Sequence, residues 1–131
     1  MASVFTKIVQ GELPSYKIAE NENFYAFLDI NPLVEGHTLV VPKQEIDDFF
    51  ELSDDLLAEM MVFAKPIARA LKKVFGTEKV AAIVLGLEVR HAHLHLGPIN
   101  KEKDMNFYNP KLTLSEEEFQ EIAGKIRAHL E

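Results

Sequence analysis

The stretch His91-Ala92-His93-Leu94-His95-Leu96 sets imidazoles and apolar side chains at alternate positions. On a helix, residues i, i+2 and i+4 scatter around the axis, whereas on a strand they share one face. The alternation therefore predicts a strand that turns Ala92, Leu94 and Leu96 inward and lines one groove with three histidines. At a rise of about 3.3 Å per residue, successive rings would stand ~6–7 Å apart. The uninterrupted apolar run at 80–85 predicts a partner strand, the two lying side by side in the centre of a sheet and joined near Gly86.

Toward the amino terminus, Thr38-Leu39-Val40-Val41 is a short β-branched run closed by Pro42. Residues 17–20 and 23–29 read as a hairpin, the second arm carrying Phe24, Tyr25, Phe27 and Leu28. Val4, Phe5, Ile8 and Val9 fall on one side of a short helix that Gly11 ends. Ser53 before Asp54 and Asp55 supplies an N-cap oxygen and two acids for the positive end of a helix. Leu56, Met60, Phe63, Ile67, Leu71 and Val74 continue that helix up to Gly76. Pro66 inside it costs one backbone hydrogen bond, which predicts a kink and not a break. Ser115-Glu116-Glu117-Glu118 is a capping box, and Phe119, Ile122, Ala123, Ile126 and Leu130 form one face of a last helix. Helices interrupting an antiparallel meander of five strands indicate an α+β domain with one long helix and terminal helices.

With 131 residues the chain suits one domain, residues 1–131. A formal net charge of -7 disfavours a nucleic-acid polymer as partner, because such binding draws on many Lys and Arg. A single small anion remains acceptable, since local dipoles can hold one phosphate against an acidic background. With no cysteine, disulfides, thiolate zinc sites and thiol catalysis are all excluded. The segment before Lys7 lacks the layout of a secretory signal, and no apolar run reaches the ~20 residues of a membrane span. The expectation is a cytoplasmic protein with no membrane partner.

Three readings of the histidines compete. They could be surface residues of a half-buried strand, but histidine is uncommon and its coincidence with apolar alternates argues against that. Two imidazoles two residues apart could ligate zinc with a third ligand such as His37 or Glu45, although only Glu88 lies nearby in sequence as a supporting acid. Alternatively, one neutral imidazole attacks phosphorus while its neighbour gives a proton to the leaving group. Histidine serves both tasks because its ordinary pKa of ~6.5 leaves both forms accessible near neutral pH.

His91-Ala92-His93-Leu94-His95 resembles the defining pattern of the histidine-triad nucleotide hydrolases and transferases. Val4-Phe5-Thr6-Lys7-Ile8, Ala26-Phe27-Leu28-Asp29-Ile30-Asn31-Pro32 and Gly36-His37-Thr38-Leu39-Val40-Val41-Pro42-Lys43 are similar to that family's upstream blocks, in order. The likeness covers roughly residues 1–100 and leaves 101–131 as a tail with the last helix. It implies an enzyme cleaving purine nucleoside 5′-phosphate derivatives, such as phosphoramidates or dinucleoside polyphosphates, at the α-phosphorus. By the same resemblance His93 is the nucleophile that forms a nucleotidyl-histidine, His95 serves the phosphate or leaving group, and His91 and His37 are orienting partners. Asp29 would bind the ribose, and Phe5, Ile8, Phe27 and Ile30 would hold the base. Gly86, Leu87, Glu88, Val89 and Leu94 would complete the substrate site. The ligand implied is an AMP- or GMP-type nucleotide, the assembly a homodimer, and neither cofactor nor metal is called for.

Some positions depart from the family pattern. Leu87 stands where glutamine is common, and leucine cannot make that amide's hydrogen bond. Such a site suggests an alternative function, a nucleotide-binding regulator with little turnover. Glu88 would sit near a phosphate, the Asn-containing loop before Gly86 is short, Glu45 replaces a frequent histidine, and Gly97 replaces a bulkier apolar residue.

Overall fold

A computed structural model describes residues 2–130; the end residues of the expected domain, Met1 and Glu131, lie outside the described residues. Helix α1 (Val4–Val9) precedes strands β1 (Lys17–Glu20), β2 (Phe24–Leu28) and β3 (Thr38–Pro42). Helix α2 (Asp54–Phe75), strands β4 (Lys79–Ile83) and β5 (Leu94–Ile99), and helix α3 (Glu116–Ala128) follow. The strands form one five-stranded sheet in the order β1-β2-β3-β5-β4, every neighbouring pair antiparallel. The α+β class expected from the sequence is the one observed.

Local signals account for the element ends. The Ser53 hydroxyl accepts from the Leu56 N–H at 3.2 Å, and Gly76 closes α2 in the left-handed region at φ 61°. Pro66 sits inside α2, which continues through it as one helix. Ser115 and Glu118 form the reciprocal capping box that starts α3. Gly36, at φ 89°, turns the chain into β3 with Phe75 so close that an added Cβ would lie 2.5 Å from its ring.

Sheet parity separates two cores. Phe24, Ala26 and Leu28 of β2, Val40 of β3, and Leu94 and Leu96 of β5 pack with Met60, Ala64, Ile67 and Leu71 of α2 and with Ile122 and Ile126 of α3. On the other face Tyr25, Phe27, Leu39 and Val41 pack with Phe5, with Ile8 and Val9 of α1, and with Val89. That second face is therefore covered by six residues of helix where the first has two long ones, and the space left over becomes a cavity.

Two expectations are corrected here. β4 does pair with β5, but it lies at the edge of the sheet and not in its centre. The strand expected from His91 begins only at Leu94. β3 cannot extend the ladder, because Pro42 has no N–H to give and its carbonyl accepts the His91 Nε2–H at 2.8 Å. Residues 91–93 run free of the sheet, tethered by the Ala92 N–H donating to the Ile46 carbonyl at 2.6 Å.

Candidate active site

Alternation along the strands delivers the polar groups to one place. Asp29 continues the parity of Phe27 just past β2, His37 precedes Leu39 at the start of β3, and His95 shares that face on β5. All three border a cavity of ≈ 590 Å³ with His93, of a size suited to a small molecule. Phe5, Ile8, Phe27, Ile30, Gly86, Leu87, Glu88 and Val89 line it as well. On the far side of Gly86 and Leu87, His93 also borders a smaller cavity of ≈ 290 Å³ walled by Phe50, Asp48 and Arg90.

The hydrogen-bond partners define which ring nitrogens carry hydrogens. His93 Nδ1 lies 2.7 Å from the carbonyl oxygen of His91. A carbonyl only accepts, so in the neutral ring Nδ1 bears the hydrogen and Nε2 the free lone pair. The Leu33 N–H donates to His37 Nδ1 at 3.1 Å, which leaves the His37 hydrogen on Nε2. That nitrogen lies 3.0 Å from His95 Nδ1, which must then accept, so His95 carries its hydrogen on Nε2. The adjacent rings of His93 and His95, 4.8 Å apart between centroids, thus have opposite tautomers. That distance is shorter than the ~6–7 Å between alternate strand residues, and His93 precedes the strand that carries His95.

Electrostatics keep these rings neutral. Burial pushes His37 down to about 4 and His95 down to about 3, and it also lowers His93. Burial raises Asp29, partly offset by the Asn31 N–H that its carboxylate accepts at 2.8 Å. The 3.6 Å separation of Asp29 Oδ2 from His37 Nε2 is longer than a hydrogen bond, and with His37 neutral it is no ion pair. Every buried side-chain nitrogen and oxygen among the described residues has a partner.

His91 is placed differently from expectation. It is fully buried, does not line the cavity, and is pinned beneath α1 by Pro42 and by the Ser3 hydroxyl at 2.7 Å from its Nδ1. Three imidazoles in one groove is thus corrected to His93, His95 and His37, and His91 orients His93 through its backbone carbonyl. Leu94, expected at the substrate, is also corrected. Its side chain is 2 % exposed and sits in the helix-side core, as the opposite parity to His93 and His95 requires.

Glu45 joins no histidine pair. It accepts from the Ser3 N–H at 2.7 Å and the Thr6 hydroxyl at 2.6 Å at the start of α1, contacts that hold its carboxyl down to about 2. Among the described residues, those able to surround a cation are Asp29, His37 and His95, whose ligand atoms lie within 4.8 Å of one another. The sequence spacing offered two imidazoles of the triad with His37 or Glu45 as a third ligand; His37 is in this group and Glu45 is not.

Residues beyond His95 complete the wall without having been foreseen. Phe107, Tyr108 and Lys111 reach the cavity, and the Phe107 ring meets His95 edge-on at 4.8 Å. Gly97 was the available sign: the space of its missing side chain holds the Met105 thioether, which brings the following residues across the open face.

Comparisons with known proteins bear on the family of the chain. Residues 10–102 match the HIT domain family. An uncharacterised HIT-like protein of Borreliella burgdorferi is 36 % identical over 97 % of this chain and 97 % of its own length. An adenosine 5′-monophosphoramidase of Schizosaccharomyces pombe is 34 % identical over 97 % of this chain and all of its own. The crystal structure of a zinc-bound histidine triad family protein of Mycobacterium smegmatis superimposes with a TM-score of 0.84 at 30 % identity, covering 98 % of this chain and 93 % of that one. The chain belongs to the histidine-triad family.

Proposed function

We propose that the chain is a metal-independent hydrolase or transferase that cleaves purine nucleoside 5′-phosphate derivatives, such as phosphoramidates or dinucleoside polyphosphates, at the α-phosphorus. The observation that carries this reading is the pair of opposite tautomers on neighbouring rings, a lone pair at His93 Nε2 beside an N–H at His95 Nε2. His93 Nε2 attacks phosphorus and the bond from phosphorus to the leaving group breaks; the His95 Nε2–H hydrogen-bonds the departing atom, which takes its proton from solvent, because a neutral His95 that gave up its only hydrogen would be left an imidazolate. Water or another acceptor then displaces the nucleotide from His93, gives its proton to solvent and returns the neutral ring. Asp29 binds the ribose hydroxyls, and Phe5, Ile8, Phe27 and Ile30 hold the base. The named phosphoramidase among the relatives supports the same class.

Incubation with an α-labelled adenosine phosphoramidate followed by an alkaline quench tests the proposal, with label expected on His93 and none in His93→Ala. Leu87 lines the cavity and offers no hydrogen bond, which favours the regulator as a second reading. Tight nucleotide binding with neither label nor turnover would establish that reading instead.

We also read residues 1–131 as one cytoplasmic domain that forms a homodimer. Among the described residues no helix is long and apolar enough to cross a membrane. Support for a dimer comes from the unpaired outer edge of β4 and from Met61 and Val62, exposed on α2. Sedimentation equilibrium at twice the chain mass is the expected result.

A further inference from the structure

We propose that Lys111 is the phosphate-binding cation of this site, reaching the phosphoryl group from the tail that crosses the cavity and making the site prefer phosphorylated over unphosphorylated nucleosides. This inference rests on the nucleotide reading above.

The tail is a built segment. Asp104 Oδ2 accepts from the N–H groups of Asn100 and Lys101, both at 2.9 Å, and so closes the turn after β5. Met105 then fills the notch at Gly97, and the Leu112 N–H donates to the Pro32 carbonyl at 2.8 Å, tying the far end to the loop beyond Asp29. Between these anchors Phe107 lies against His95 and His37, at centroid distances of 4.8 and 6.2 Å. The Lys111 ammonium donates to the Phe107 carbonyl at 3.0 Å and stands 5.7 Å above the Phe107 ring. One of its three hydrogens is used, leaving two for phosphoryl oxygens.

Charge in the cavity points the same way. Among the described residues of its wall, Asp29 and Glu88 are acidic and Lys111 is the one lysine or arginine, with the three histidines held neutral. In a chain of net charge -7 a nearby cation adds to what local dipoles can do and favours entry of a phosphate dianion into such a site. Leu87 supplies neither charge nor hydrogen bond. The field of Lys111 also disfavours protonation of His37 and His95, as a cation facing those rings must.

Calorimetric titration of the full chain with AMP and with adenosine tests the assignment. Lys111→Gln should weaken AMP roughly tenfold to a hundredfold, the range for a lost hydrogen bond to a charged group, and leave adenosine unchanged. Lys111→Arg should restore most of the AMP affinity, and the salt dependence of AMP binding should shrink in Lys111→Gln. An unchanged AMP affinity in Lys111→Gln would overturn the assignment while leaving the nucleotide reading intact. Equal weakening of AMP and adenosine would overturn it too, by making Lys111 a support for the tail. Wild-type protein that binds AMP no better than adenosine would sink both this inference and the nucleotide reading.

Discussion

The two faces of the sheet are written on the same strands, one residue out of phase, and they are used in opposite ways. The face of Phe24, Val40, Leu94 and Leu96 is sealed by α2 and α3 and packs an apolar core against them, the buried Thr38 hydroxyl of the same parity being met by the Gly36 carbonyl at 2.8 Å. The face of Asp29, His37 and His95 is roofed by short α1, the loop at 85–89 and the tail, and it buries imidazoles around a cavity. Burying polar groups costs free energy unless each is hydrogen-bonded. Here the bonds that meet that cost are also the ones that assign the hydrogens for chemistry. Stability and reactivity are thus separated by parity, so adjacent substitutions should have unlike consequences.

The sharpest contrast is between neighbours at 93 and 94. His93→Ala should lower turnover by on the order of 10³-fold or more with little change in stability, since the attacking atom is lost. Leu94→Ala should instead cost about 2–5 kcal/mol by leaving a cavity under α2, with nucleotide affinity retained where the chain stays folded. Urea denaturation and single-turnover rates on both variants check the pair; matching profiles would erase the distinction.

Acid should act on the histidine face. Below pH ~6.5 the histidines of the unfolded chain take up protons that folded His37 and His95, held down to about 4 and about 3, refuse. The unfolded state then binds more protons, so stability should fall as pH drops from 6.5 toward 4 and level off below the folded values. Each such histidine contributes a slope of about 1.4 kcal/mol per pH unit inside its window. His37→Asn should flatten that slope, as melting temperatures across the range would report. Glu45, held down to about 2, should act only at lower pH, where its protonation loosens the start of α1.

The smallest expected change is a gain. Leu87→Gln restores an amide beside the cavity and should raise turnover several-fold, within the ~0.5–1.5 kcal/mol of one net hydrogen bond. Steady-state kinetics on the phosphoramidate decide this, and an unchanged rate would show that the leaving group does not depend on position 87.

Much of this was legible because periodicity carries it. The 3.6-residue spacing in α2, the capping box of α3 and the aromatic and β-branched runs of β2 and β3 are local patterns, and those elements formed where their patterns lay. Parity alone could have put His37 and His95 together with Asp29. The start of β5 was not legible, because it depends on the His91 ring taking the Pro42 carbonyl across 49 positions of sequence. Nor was the tautomer relay, since its first donor is a backbone N–H at Leu33 that no residue type advertises. The tail after β5 has no period; its course follows from a contact between Gly97 and Met105 that only the fold creates.

Long-range ¹⁵N correlation spectra of the histidine rings at neutral pH examine the central claim without any substrate. The account predicts two neutral rings of opposite kind, hydrogen on Nδ1 in His93 and on Nε2 in His95. Finding the same tautomer in both, or a charged imidazolium at either, would contradict it.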